Sequence, residues 1–505
     1  MIRQRATAIA LPLLFYACVS VSAAGAADLI PQGTAAAHGL TRMWSVQMEI
    51  DHARSSVQSV LLDRGVLFVQ TTAAMLHAFD AETGRPIWNA PRQVGNPRQP
   101  SMTPAVNRRF VAVLNGTRLY VLNRVNGDLL WETELDGIPG NAPSLVDDRV
   151  VVPMLNGLIV AYRLKPVEKQ ELKPKSKSQV AVEDTTPPEA LKLVQGRSTP
   201  LTCQSSGEVT APPLFLSASD EEDLVAWPTS TGSLLIAGIP RVGNQFIVRH
   251  RVLVGNGTAA GLAYRPAEGK SATDAGLVYV VSREGFVHAV NERTGQSTWE
   301  FPVAEAVIEA PVMVAGNVYV ATQLGGMFCL DAKTGLQRWA APQVIRFVAA
   351  GPDRVYAVDK LQRLVVLDTR SGSRLDSLDV HAFPFRLANA QTDRLYLASE
   401  KGLVQCLRDL RQVEPLVYQT EQKRGDKKVE KEKPVIKKTV TEHKPKAAAE
   451  GMAVEETEKP AKKAHKAREP KEPKEPKEKP AKKSKKGKKD EGGGANPFAA
   501  KPKKE

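Results

Sequence analysis

Four cysteines, eight histidines and one dense acidic run are the places where this 505-residue chain could carry metal, redox or nucleophile chemistry. Cys18 lies in the first apolar segment, which leaves Cys203, Cys329 and Cys406, an odd set that argues against a disulfide framework. Cys329 and Cys406 occupy one small apolar column of a repeat, two repeats apart, and so lie beyond the Cα separation of about 7 Å that a disulfide tolerates. Both are read as small core residues. Cys203, in the region of a low-complexity insertion, reads as a free thiol. His77 and His288 fall at equivalent outward strand positions of two different repeats, so surface or interblade roles are expected of them rather than convergence on one metal ion. His38, His52, His250, His381, His443 and His465 show no ligand spacing. The run Asp220-Glu221-Glu222-Asp223 has the charge for calcium but lacks the loop glycine and spaced ligands, and is read as a solvated acidic turn. The chain contains no Gly-x-Ser-x-Gly, His-Glu-x-x-His, phosphate-binding Gly-rich loop or haem Cys-x-x-Cys-His. No catalytic residue and no metal ligand is therefore assigned, and no cofactor is expected. Carboxylate pairs brought together by facing loops stay open.

The elements that would position any site are set by charge and repetition. Of the net charge of +14, residues 421–505 hold 26 Lys and 2 Arg against 16 acidic residues, so the body is nearly neutral and the tail is basic. The tail is Lys, Glu, Pro and Ala, and buries too little to offset its ordering entropy, so a disordered segment is expected. It suits weak, salt-sensitive binding of anionic polymer or lipid headgroups, or solvation alone. With Phe498 as its one aromatic, specific nucleic-acid readout is not expected. At the other end, Arg3 and Arg5, an apolar stretch from Ile9 to Val21 and Ala24-Gly25-Ala26 read as an export signal over 1–26. An uncleaved anchor is disfavoured by the length of the run and by Pro12. Lipidation at Cys18 is disfavoured by the preceding Phe15 and Tyr16.

Between these ends the chain repeats. LHAFDAETGRPIW (76–88), LYVLNRVNGDLLW (119–131), VHAVNERTGQSTW (287–299), MFCLDAKTGLQRW (327–339) and the degenerate LVVLDTRSGSRLD (364–376) share an apolar strand, an Asp or Asn, a Thr-Gly-like turn and a second strand. Three weaker relatives, at 158–163, 233–240 and 403–409, keep only the first strand. The middle residues of that strand, Ala78, Val121, Ala161, Ile236, Ala289, Cys329, Val366 and Cys406, recur at about 40 residues. The long step from Ala161 to Ile236 is accounted for by an insertion over 165–199. Each repeat also offers an upstream apolar strand and, before it, a small-residue segment such as MTPAV (102–106) or APSLV (142–146). Four strands at that period predict an all-β, eight-bladed β-propeller over 41–418. RMWSVQM (42–48) supplies the strand that the eighth repeat lacks, which closes the ring. Within the phrase, Asp80 and Asp331 can bond turn amides, and Gly84, Gly127, Gly295 and Gly335 can take a positive φ. Trp88, Trp131, Trp299 and Trp339 are expected to pack between blades rather than hold a ligand.

The phrase L-x-A-x-D-x-x-T-G-x-x-x-W resembles the repeat of the pyrroloquinoline-quinone (PQQ) type β-propellers, a group that includes quinoprotein alcohol dehydrogenases and the outer-membrane assembly factor BamB. The resemblance implies either of two functions. The leading one is an exported, non-enzymatic scaffold that docks an envelope protein. The alternative is a PQQ-dependent quinoprotein dehydrogenase or small-molecule sensor, which implies PQQ with calcium on the ring axis and a vicinal Cys-Cys pair that this chain lacks. A third reading, from composition, is a polyanion-binding envelope protein acting through its tail.

Overall fold

The computed structural model describes residues 29–164, 193, 199–241, 243, 245–258, 260–268, 275–307 and 309–418. The export signal, nearly all of the insertion and the basic tail lie outside the described residues.

Eight four-stranded antiparallel sheets follow one another along the chain as the blades of a propeller. Blade 1 is built from Val57–Asp63, Val66–Thr71, Met75–Asp80 and Arg92–Gln93, and the next six repeat that order from axis to rim. The second strands, such as Val66–Thr71 and Phe110–Asn115, are buried along almost their whole length instead of alternating. Both of their faces meet neighbouring blades, which is why the sequence gives them unbroken apolar runs. The core is therefore shared between blades: one cluster joins Tyr319, Cys329 and Trp339 of blade 6 to Phe347, Val355, Ala357 and Val365 of blade 7. Each such Val or Leu stabilises the ring by about 1.5–3 kcal/mol relative to exposure.

The turn between third and fourth strands is an Asx turn. In blade 6, Asp331 Oδ1 accepts hydrogen bonds from the Lys333 and Thr334 amides, each at 3.0 Å, and from Thr334 Oγ1 at 3.0 Å. Gly335 follows at φ +72°, and a Cβ there would lie 2.5 Å from the Trp299 indole of the preceding blade. Trp299 lies flat on that glycine and donates Nε1 to Ala332 O at 3.2 Å. The same staple sets Trp88 on Gly127, with Nε1 to Arg124 O at 2.9 Å, and Trp339 on Gly372, with Nε1 to Thr369 O at 2.8 Å. His250 takes the indole's place over Gly295. Trp131 has no such turn beneath it, because the insertion separates the third and fourth strands of blade 3, Leu158–Arg163 and Leu201–Gln204. It packs instead with Tyr162, Leu164 and Leu193.

Blade 8 closes the ring with chain from both ends. Leu40–Gln47 pairs antiparallel with Leu403–Asp409, Leu40 opposite Asp409 and Trp44 opposite Cys406. Trp44 then staples blade 8 to blade 1, over Gly84 and through Nε1 to Ala81 O at 2.9 Å. A short helix before this strand, Gln32–Ala37, buries Ala35 in the cluster shared by blades 7 and 8. No helix among the described residues is long and apolar enough to cross a membrane.

Candidate functional site

The first strands of all eight blades line one axial cavity of about 2200 Å³, among them Leu62, Val106, Leu145, Leu216, Met313 and Phe347. Small and medium side chains there keep the axis open. Charged groups gather at the end formed by the turns between first and second strands and between third and fourth strands, where Arg64, Glu82, Arg108, Asp147, Glu292 and Arg293 reach the wall. Most of these charges are held by neighbours. Asp63 pairs with the buried Arg124 of blade 2 and Glu222 with Arg249 at 2.8 Å, and at the opposite end of the cavity Glu309 pairs with Arg346. Glu292 is almost fully buried and accepts from Tyr264 Oη at 2.8 Å, Ser217 Oγ at 3.1 Å and the Gly276 amide at 3.2 Å.

The chain leaves blade 8 as a strap across this mouth. Arg394, fully buried, donates to Gln412 O at 3.3 Å and Val413 O at 2.7 Å, and pairs with Glu82 and Asp393. The Leu416 amide donates to Asp393 Oδ1 at 3.0 Å, and Tyr418 Oη to Ala350 O at 2.8 Å. Burial raises the Asp393 carboxyl and pushes the Tyr418 hydroxyl up to about 12. Pro415, Val417 and Tyr418 thus become part of the cavity wall.

The residues singled out by chemistry do not converge. Cys329 and Cys406 lie buried in blades 6 and 8 as free thiols, and burial raises both, Cys329 to about 12, so neither is a nucleophile at neutral pH. Cys203 stands on the outer strand of blade 3, just past the insertion, and is also raised by burial. His77 and His288 occupy equivalent third-strand positions, but the expectation that they face outward is overturned. His77 is 8% exposed and stacks on Phe79, and His288 is 9% exposed and pairs with Glu300 at 3.2 Å. The alternation assumed for an open sheet fails where a blade is covered on both faces. The acidic run also departs from a solvated turn in its second half, since Glu222 and Asp223 begin a strand and Asp223 is buried against Arg241 at 2.9 Å. Among the described residues, no group of three or more His, Cys, Asp or Glu side chains forms a metal-donor set.

Comparison with protein families decides the relationship. The profile described as outer membrane protein assembly factor BamB matches residues 34–165 and 247–433, more than half of the chain. The chain belongs to the BamB family of PQQ-type propellers. The unmatched interval holds the insertion and most of blade 4. Comparison with curated proteins returns no match. Among solved structures, BamB from Moraxella catarrhalis is 12% identical at a TM-score of 0.49, over 73% of this chain and 99% of that one. A quinohemoprotein alcohol dehydrogenase from Pseudomonas putida is 11% identical at 0.48, over 74% and 76%. A computationally designed protein, Ika8, is 14% identical at 0.48, over 70% and 96%. At these values none of the three bears on activity.

A calcium-bound quinone needs carboxylates free to coordinate and flat groups to hold its ring. In this BamB-family cavity Glu292, Glu309, Asp63 and Glu222 are committed to the partners given above, while the carboxylates of Glu82 and Asp147 and the rings of Tyr264, Tyr319 and Phe347 also belong to lining residues.

Reading from sequence missed Arg346, Arg386, Gln362 and Arg394. For Gln362 a column gave a signal: Gly157, Gly232, Gly285, Gly325 and Gly402 end the turn between second and third strands in five blades, where blade 1 has Ala74 and blade 7 has Gln362.

Proposed function

We propose that the chain is an exported, non-enzymatic docking platform that binds an envelope protein through the turns on one face of its propeller. Membership of the assembly-factor family supports a protein partner in general. The observation that carries the reading is a set of bare aliphatic side chains at turn tips on the face opposite the strap. Ile138, Leu155, Leu324 and Leu361 are between half and two thirds exposed, and the Leu155 amide donates to Ile138 O at 2.9 Å, which makes those two one patch. Turns are normally polar, and bare aliphatic side chains at their tips favour a contact surface; the strap face carries some as well, at Val125, Leu336 and Val413.

The test is affinity capture from envelope extract with the full chain and with a Leu155→Ser, Leu324→Ser, Leu361→Ser variant, followed by mass spectrometry. One envelope protein at near-equal stoichiometry, lost at least tenfold with the variant while the melting temperature stays put, is the expected result. Equal capture by both proteins removes this face from the account. Stoichiometric quenching of tryptophan fluorescence by PQQ with calcium overturns the non-enzymatic reading.

A further inference from the structure

Five arginines of the described chain are buried: Arg124, Arg149, Arg265, Arg386 and Arg394. Four have a carboxylate within 4 Å, on Asp63, Asp148, Glu268 and Asp393 respectively. Arg386, on the first strand of blade 8 and 93% buried, has none among the described residues. A guanidinium held away from water with no carboxylate in direct contact is costly, and Asp379 acts on this one only from beyond 4 Å. Its hydrogen bonds go to neutral groups: Nη1 to Gln362 Oε1 at 2.5 Å, and Nη2 to Val380 O at 3.1 Å and Gln362 O at 3.3 Å. Its Nε has no partner.

The surroundings are built around this cation. Between blades 7 and 8 lies a second cavity of about 290 Å³, walled by Ile345, Arg346, Val358, Gln362, Pro384 and Arg386, with His381 at its side. Arg346 and Arg386 also line the axial cavity, so the two spaces share these two residues in their walls. Arg346 has Glu309 for a partner, and His381 has Asp379 at 2.5 Å. Gln362 supplies the side-chain oxygen that faces Arg386. Its amide donates to Asp359 O at 2.9 Å in the same turn bond that Gly157, Gly232, Gly285, Gly325 and Gly402 make in their blades. Those glycines have φ between +78° and +92°; Gln362 holds +60° and Ala74, at the same place in blade 1, holds +58°, so two blades accept a side chain there. At this turn Gln362 presents a neutral amide oxygen to Arg386, in the place where an anionic oxygen would sit.

We infer that the space between blades 7 and 8 binds a small oxyanion, a carboxylate or a phosphate, which displaces the Gln362 amide from Arg386 and pairs with Arg386 and Arg346. A cavity near 300 Å³ is at the small end of ligand sites, which suits such an ion and excludes a large cofactor. Bidentate pairing with guanidinium supplies both affinity and orientation.

The experiment is isothermal titration of the full chain with inorganic phosphate and, separately, succinate, at constant ionic strength. A saturable, one-to-one heat with at least one of them is expected. Phosphate alone points to a phosphoryl ligand, and succinate alone to a carboxylate. Arg386→Gln should weaken binding at least tenfold. Should that variant not fold, Arg346→Gln and Gln362→Gly decide: the first should weaken binding, and the second should fold at least as well as the parent and bind more tightly, because the competing amide is gone. No saturable heat with either ion, or an affinity that none of the folded variants changes, overturns the site.

Discussion

The indole of one blade and the glycine of the next are one device. Trp299 on Gly335, Trp339 on Gly372, Trp88 on Gly127 and Trp44 on Gly84 share geometry, and each indole nitrogen bonds a carbonyl of the turn it covers. Trp339→Ala should therefore cost about 3–5 kcal/mol in chemical denaturation. Gly372→Ala, whose Cβ would lie 2.5 Å from that indole at φ +70°, should cost more than the roughly 1 kcal/mol of an unfavourable φ alone. Asp331 gives a prediction in pH. Partial burial works to raise its carboxyl, but Arg338 Nη2 at 2.6 Å and the Thr334 amide and hydroxyl outweigh it and hold the group at about 2. The folded value lies below the ordinary one, so its stabilisation is complete above about pH 4 and is lost as pH falls towards 2. Asp331→Asn should lower the melting temperature at pH 6 and narrow its gap to the parent at pH 2.5. These residues were legible because the phrase states them four or five times. Arg386 was not, since a single arginine in sequence carries no mark of whether a carboxylate will meet it.

At the scale of elements, the period near 40 and the orphan strand at 42–48 were enough to write the blade and its closure, and the pairing of Leu40–Gln47 with Leu403–Asp409 follows that reading. Burial faces were harder to read. A strand between two blades has no solvent side, so His77 and His288 go inside where an outward strand position was read, and Asp223 goes inside where a solvated turn was read. The insertion was visible as composition, yet its place between the last two strands of blade 3 follows only from pairing. Deleting Leu40–Gln47 should leave blade 8 with three strands and an open edge next to Trp44's vacated turn in blade 1. The truncated chain should lose its single cooperative melt and elute as oligomers in size exclusion, and a synthetic peptide of residues 40–48 should restore the monomer peak. A truncated chain that stays monomeric with an unchanged melt would show that the ring does not need this strand.

For the whole molecule, the charge map separates a nearly neutral ring from a basic tail, and a ring fold leaves the choice of partner to its surfaces. Removing residues 421–505 should abolish any binding to anionic vesicles at low salt while leaving the melting temperature of the ring unchanged. Retention of vesicle binding would move that property to the ring. Both ends of the described ring sit in blade 8, and they leave it side by side, since Leu40 faces Asp409 across the closing pair. A pull between the two chain ends would therefore load that pair like a zipper, one hydrogen bond at a time, which is the weakest direction for a sheet. What stands in series with the zipper is the strap: Arg394 grips the carbonyls of Gln412 and Val413, and Tyr418 is tied to blade 7. Tension arriving from the C-terminal side must first break the strap's bonds to a buried guanidinium and to blade 7, so the clasp at the mouth of the cavity is the ring's strain relief.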